Sequence, residues 1–229
     1  MHMKYPLLTL LLIITISLLG HAQYKQAPID FLPKGHVVYR KIIGDLNKDG
    51  IADCILLIKG TDSQKIVNDR YRGKLDKNRQ GLIILFKRPQ GYELVVKNDS
   101  CFSAVDAYEG GYMAPEYTVE IKEGNLRVHF GQGRNGYWQY IFRFQNADFY
   151  LIGFESGYPS HFVSHYATFN EESINFLTQK KLKKKVIGLR SDGKERYKET
   201  WTKIKVLKVI KLSEIKDFDE FDIDELYEK

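Results

Sequence analysis

Cysteine is scarce in this chain: of 229 residues only Cys54 and Cys101 carry a thiol. Neither has the setting expected of a nucleophile. None lies near residue 23, so acylation of a new N-terminal cysteine there is excluded. No Gly-x-Ser-x-Gly occurs, and "GQGRNG" at 131–136 leads into another strand-like run rather than a helix. It therefore fails the context that a phosphate-binding loop requires. Long apolar runs are also missing. The run 6–19 is about 14 residues, short of the roughly 20 that a helix needs to cross a bilayer. With two cysteines, one disulfide between Cys54 and Cys101 is expected in an oxidising compartment, where a loop of that size would contribute roughly 4 kcal/mol. Two buried thiols packed as small core residues are the alternative.

The first residues have the layout of a cleavable export signal. Lys4 precedes the apolar run, and the small residues Gly20 and Ala22 lead to a cut ahead of Gln23. The expectation is a signal peptide over 1–22, an all-β domain over 23–210 and an acidic tail over 211–229. The product would be an extracytoplasmic (periplasmic or secreted) monomer without a membrane span after cleavage. Net charge is +6 but unevenly spread: 180–208 holds twelve Lys or Arg against three acids, and 211–229 eight acids against three lysines. No aromatic-basic RNA-binding pattern accompanies the lysines, so a nucleic-acid partner is excluded.

What the chain does have is two-residue alternation. "TVEIK" and "LRVHF" place Val119, Ile121, Leu126, Val128 and Phe130 inward, with a turn at Glu123 and Gly124. "WQYIFRF" aligns Trp138, Tyr140, Phe142 and Phe144 on one face, which reads as core. "LIILF" is apolar on both faces, as a covered central strand is. Ten or eleven strands emerge, with four-strand meanders over 37–98 and 116–157 and a less regular group over 162–206. Too few groups exist for an ordinary propeller. The expected fold is all-β, with antiparallel meander sheets forming a twisted sandwich or a partly open barrel- or propeller-like arrangement. Long loops are expected over 61–80 and 99–115. A short amphipathic helix is expected in the tail, capped by Ser213 and carrying Ile215, Phe218 and Leu226 on one side.

One stretch carries chemistry. In "GDLNKDGIAD", residues 44–53, oxygen-bearing side chains stand at alternate positions around Gly50. Ca²⁺ takes six to eight hard oxygens at short range, and a curled loop with a glycine at its bend turns alternate side chains inward. An Asx-rich turn without metal is the competing reading. An EF-hand is excluded, because Leu56 stands where its bidentate Glu is needed and the flanks are strands. The segment resembles the D-x-[DN]-x-D-G-x-x-D loop of FG-GAP (VCBS-type) repeats, the calcium hairpins of integrin α-subunit propellers. The likeness covers about 14 to 20 residues and occurs once, where such repeats usually come in tandem. It implies a structural Ca²⁺ held by the side chains of Asp45, Asn47, Asp49 and Asp53 and by the carbonyl of Ile51. The wider pattern also resembles exported bacterial proteins without an established activity.

Exposed tyrosines in Gly-rich loops stack on sugars or peptides, which singles out Tyr108, Glu109, Tyr112 and Tyr158 as a candidate binding surface. Two functions follow. One is a non-catalytic secreted or periplasmic binding protein for a protein or glycan ligand, stapled by Ca²⁺. The other is a glycan-acting hydrolase using the carboxylates of 99–116, namely Asp106, Glu109 and Glu116.

Overall fold

The computed structural model describes residues 23–104, 115–160 and 169–228, and within them the chain is all-β and antiparallel. The first sheet uses β1 (Tyr24–Lys25), β2 (His36–Gly44) and β3 (Asp53–Gly60). A small hairpin follows, β4 (Ile66–Asp69) with β5 (Gly73–Asp76), and the sheet resumes with β6 (Gln80–Arg88) and β7 (Gly91–Phe102). Its order is β1-β7-β6-β3-β2. The second sheet is a meander from β8 (Glu116–Lys122), β9 (Asn125–Gly131), β10 (Tyr137–Gln145) and β11 (Asp148–Pro159) through β12 (Phe169–Asn175), β13 (Lys180–Leu189) and β14 (Glu195–Lys203). The groups expected over 116–157 and 162–206 are thus one seven-stranded sheet. A last pair joins β15 (Lys205–Val206) to β16 (Tyr227–Glu228).

The hairpin turns follow from backbone chirality. Glu123 and Gly124 (φ 56° and 68°) close β8–β9, and Asn146 and Ala147 (φ 48° and 63°) close β10–β11. Two left-handed central residues match the twist of the flanking strands. β3 and β6 pair through Cys54–Leu85, Ile55–Ile84, Leu56–Ile83 and Leu57–Leu82. One face of this pair, with Leu56, Ile58, Ile83 and Leu85, lies under Phe31 of the 3-10 turn Pro28–Phe31. The other, with Ile55, Leu57, Leu82, Ile84 and Phe86, meets the second sheet. The covered strand "LIILF" is β6. From the second sheet come Val119, Leu126, Val128, Phe130, Tyr140 and Phe142, on the expected inward faces, together with Phe149.

Residues 211–228 are not a tail. Leu212, Ile215, Phe218, Leu226 and Tyr227 are buried in the same cluster as both sheets. Phe218 stacks on Phe102 at 5.2 Å and lies 5.2 Å from Tyr140 and 5.8 Å from Phe130. Its amide donates to the Cys101 carbonyl at 3.0 Å, and Asn98 Nδ2 donates to the Ile215 carbonyl at 2.6 Å. The expected helix does not form; only the 3-10 turns Leu212–Glu214 and Asp224–Leu226 do. Asp217 accepts from the Asp219 amide and Asp222 from the Asp224 amide, local bonds that compete with helical ones.

Two further expectations are corrected. Residues 61–80 are no structureless loop, since β4–β5 occupies them and Lys59 Nζ holds Asp76 at 2.6 Å. Cys54 and Cys101 are free, buried thiols and form no disulfide. They lie in different clusters, on opposite faces of the first sheet. Cys54 is opposite Leu85 on β6, whereas Cys101 precedes Phe102, opposite Gln80. Five residues of strand span roughly 17 Å, and a disulfide needs Cα atoms within about 7 Å.

Candidate functional site

The 44–53 loop joins β2 to β3 and bends through Lys48 (φ 62°) and Gly50 (φ 81°). Its side chains curl it. Asp45 accepts from the amides of Lys48 (2.6 Å) and Gly50 (2.9 Å), one on each oxygen. Asn47 Oδ1 accepts from the Asp49 amide, and Asp49 Oδ1 from the Ile51 amide at 2.8 Å. Asp49 Oδ2 receives Asn47 Nδ2 at 2.8 Å and Arg88 Nη1 at 3.0 Å. Arg88 is shared, since its Nε also donates to Glu93 at 2.8 Å. Asp53 is fully buried and takes the amides of Leu46 (2.9 Å) and Lys87 (3.0 Å), which ties the loop to the end of β6. The side chain of Ile51 faces outward, 45% exposed.

Charge follows this geometry. Burial raises the pKa of Asp53, the two amide bonds pull it back, and the neighbouring Asp49 and Asp45 push it up again. Asp49 is held below its usual value, first by the Ile51 amide. Among the described residues, no three His, Cys, Asp or Glu side chains are grouped closely enough to hold a metal. The donor chemistry nonetheless suits a hard cation. A carboxylate oxygen with one amide bond keeps a lone pair, and Asp45 and Asp49 both raise the cost of ionising Asp53.

The loop also lies at the seam between the sheets. Leu46 is buried in the shared core. A Cβ on Gly44 would come within 3.0 Å of Ile121, and one on Gly124 within 2.5 Å of the Lys48 side chain. The loop from the first sheet therefore grips the β8–β9 hairpin of the second.

Two clefts adjoin at Pro115 and Asp219, which line both. An aromatic cleft of about 590 Å³ is lined by Tyr137, Trp138, Tyr158 and Phe221, with Asn135 and Ser156 as polar groups. Tyr158 is half exposed, at 49%, and Trp138 stacks on Phe130 at 5.2 Å. The cleft's rim is the 3-10 turn Gly133–Asn135, closed by Gly136 (φ 124°), where a Cβ would sit 2.4 Å from the Gly157 carbonyl. The neighbouring cleft, about 460 Å³, holds Tyr39, Arg40, Gln80, Glu116, Tyr117 and Asp219. Tyr117 donates to Gln80 Oε1 at 2.7 Å, Tyr39 hydrogen-bonds Tyr117, and Ser103 donates to Asp219. Burial raises the pKa of both Tyr39 and Tyr117 hydroxyls, which keeps them neutral hydrogen-bonding groups. Asp219 borders both clefts.

The loop residues Asp45, Asn47, Asp49, Ile51 and Asp53 thus share one hydrogen-bonded turn, and Tyr158 stands on a cleft wall. Tyr108, Glu109, Tyr112 and Asp106 lie outside the described residues, as does the expected signal over 1–22. Of the hydrolase carboxylates only Glu116 is described, exposed at the start of β8. Alternation put Trp138 in the core with Tyr140 and Phe142; it packs against that core and also walls the cleft. Phe221 and Asp219 went unnoticed because the segment that carries them reads as a loose tail. No protein-family model matches this chain, and comparison with curated proteins and with solved structures finds no similar one.

Proposed function

We propose that the chain is an extracytoplasmic, non-catalytic binding protein that takes a segment of glycan in the aromatic cleft. The observation that carries this is the side-by-side placement of Trp138 and Tyr158 with Ser156 and Asn135. The apolar face of a pyranose stacks on aromatic rings, while amide and hydroxyl groups at the rim read its hydroxyls. Pockets of this kind, mainly apolar with a few placed polar groups, are the common form of ligand site.

The 44–53 loop serves as a staple in this reading. Asp45, Asn47, Asp49 and Asp53 would hold Ca²⁺ with the Ile51 carbonyl, as the FG-GAP resemblance implies. Bound there, Ca²⁺ supplies positive charge among three carboxylates and stiffens the β2–β3 hairpin. The chain's own part is to curl the loop through the Lys48, Gly50 and Ile51 amides and to fasten it across both sheets.

Titration of the protein against a panel of neutral oligosaccharides tests the binding reading. Tyr158→Ala and Trp138→Ala should each weaken binding by about tenfold or more, about 1.4 kcal/mol, with the β-type circular dichroism retained. A panel without any binder, or binding indifferent to both substitutions, overturns the glycan assignment. Release of new reducing ends would overturn the non-catalytic one.

A further inference from the structure

The ribbon formed by β13 and β14 carries charge that the rest of the fold does not neutralise. Lys185 lies directly opposite Lys198, and Lys180 directly opposite Lys203. Like charges facing each other across a strand pair are destabilising, so both pairs work against the sheet that holds them. Elsewhere on the ribbon the lysines are matched: Lys181 and Lys183 share Glu172 at 2.6 and 2.5 Å, and Lys184 meets Glu171 at 3.6 Å. Among the described residues, Lys180, Lys185, Arg196, Lys198 and Lys203 have no carboxylate partner.

Strand alternation sorts these groups onto two faces. Lys183, Lys185, Arg196 and Lys198 share the face that farther along buries Lys181 against Tyr227. At their end of the ribbon that face is open, and Lys185, Arg196 and Lys198 are all exposed. Neighbours two apart on a strand are about 7 Å apart, and directly opposite Cβ atoms about 5 Å. Four cations therefore stand close together with Glu172 as their one acid. The opposite face carries Trp201, 62% exposed and directly opposite Leu182, together with Lys180, Lys203 and Lys184, the last directly opposite Glu199. Among the described residues β14 is the edge of its sheet, and no strand pairs with its outer side.

We propose that this edge binds a linear anionic polysaccharide, which neutralises Lys185, Arg196 and Lys198 and wraps around β14 to stack on Trp201. The two-sided layout selects this occupant. A planar bilayer reaches one face of a two-stranded ribbon at a time, so it meets the cations or the indole but not both. A flexible polymer with charged groups and sugar rings reaches both. The surface is separate from the aromatic cleft and does not depend on it.

The test uses the full chain with polygalacturonate as the probe, dextran as the neutral control and phosphatidylglycerol vesicles as the planar anionic surface. Polygalacturonate should bind, with affinity falling steeply as salt rises. The double variant Lys185→Gln/Lys198→Gln should bind at least tenfold more weakly, with a shallower salt dependence. Its melting temperature should be equal or higher, because a repulsive pair is gone; that readout separates lost charge from lost fold. Trp201→Ala should also weaken binding, and Tyr158→Ala should leave it unchanged. The proposal is overturned if polygalacturonate does not bind, if either the lysine pair or Trp201 is dispensable, or if only the vesicles bind.

Discussion

Phe218 lies 2% exposed with its ring on Phe102 and its amide on the Cys101 carbonyl, so one residue joins the segment after β14 to the first sheet. Phe218→Ala should cost about 3–5 kcal/mol, the usual range for a buried aromatic, read as a lower denaturant midpoint with an unchanged slope. The thiols make a second prediction at this scale. Burial pushes Cys54 up to about 11 and Cys101 higher still. Neither should react with a thiol reagent at pH 8 in the folded protein, and both should react once it is unfolded. A sequence that places two cysteines on strands does not say which way each points. Parity put Cys54 under Phe31 and Cys101 between the sheets, and only the register between β3, β6 and β7 reveals that.

The β2–β3 hairpin was the most legible element, because alternation of oxygens about a glycine is a local property of the chain. Arg88 was not legible, since its contact with Asp49 spans 39 positions. If the loop takes Ca²⁺ at the about 10⁻⁴ to 10⁻³ M affinity of extracellular modules, 10 mM Ca²⁺ adds about 1.4 to 2.7 kcal/mol. That is a melting rise of about 3 to 10 °C, which Asp45→Ala or Asp49→Ala should abolish. A wild-type melting temperature indifferent to Ca²⁺ sinks the metal. Arg88→Gln should enlarge the rise, because the guanidinium competes for the same Asp49 oxygen. The β4–β5 hairpin responds to acid instead. Lys59, hydrogen-bonded to Asp76, holds that carboxyl at about 2 against an ordinary 3.8. A depressed carboxyl stabilises the fold above its unfolded value, so this contribution is complete above about pH 4 and fades as pH falls toward 2. Melting curves across that window should show a smaller loss in Asp76→Asn than in wild type.

At the scale of the molecule, the two-sheet all-β architecture followed from period-two patterning, and its β8–β9 turn from Glu123–Gly124. The role of 211–228 did not follow. Its acids outnumber its apolar side chains, and composition outweighed the buried positions Leu212, Ile215, Phe218, Leu226 and Tyr227. Burying side chains of this size contributes about 1.5–3 kcal/mol each. Five of them rival the about 5–15 kcal/mol that separates a folded domain from its unfolded chain. Removal of 211–229 should therefore abolish cooperative unfolding and leave a protease-sensitive chain; a truncated form with a sharp melting transition would contradict this. The same residues are made after every strand of the two sheets. A ribosome that has delivered both sheets has still not delivered the ring that lies between them, so final packing waits until residues 212–227 are synthesised.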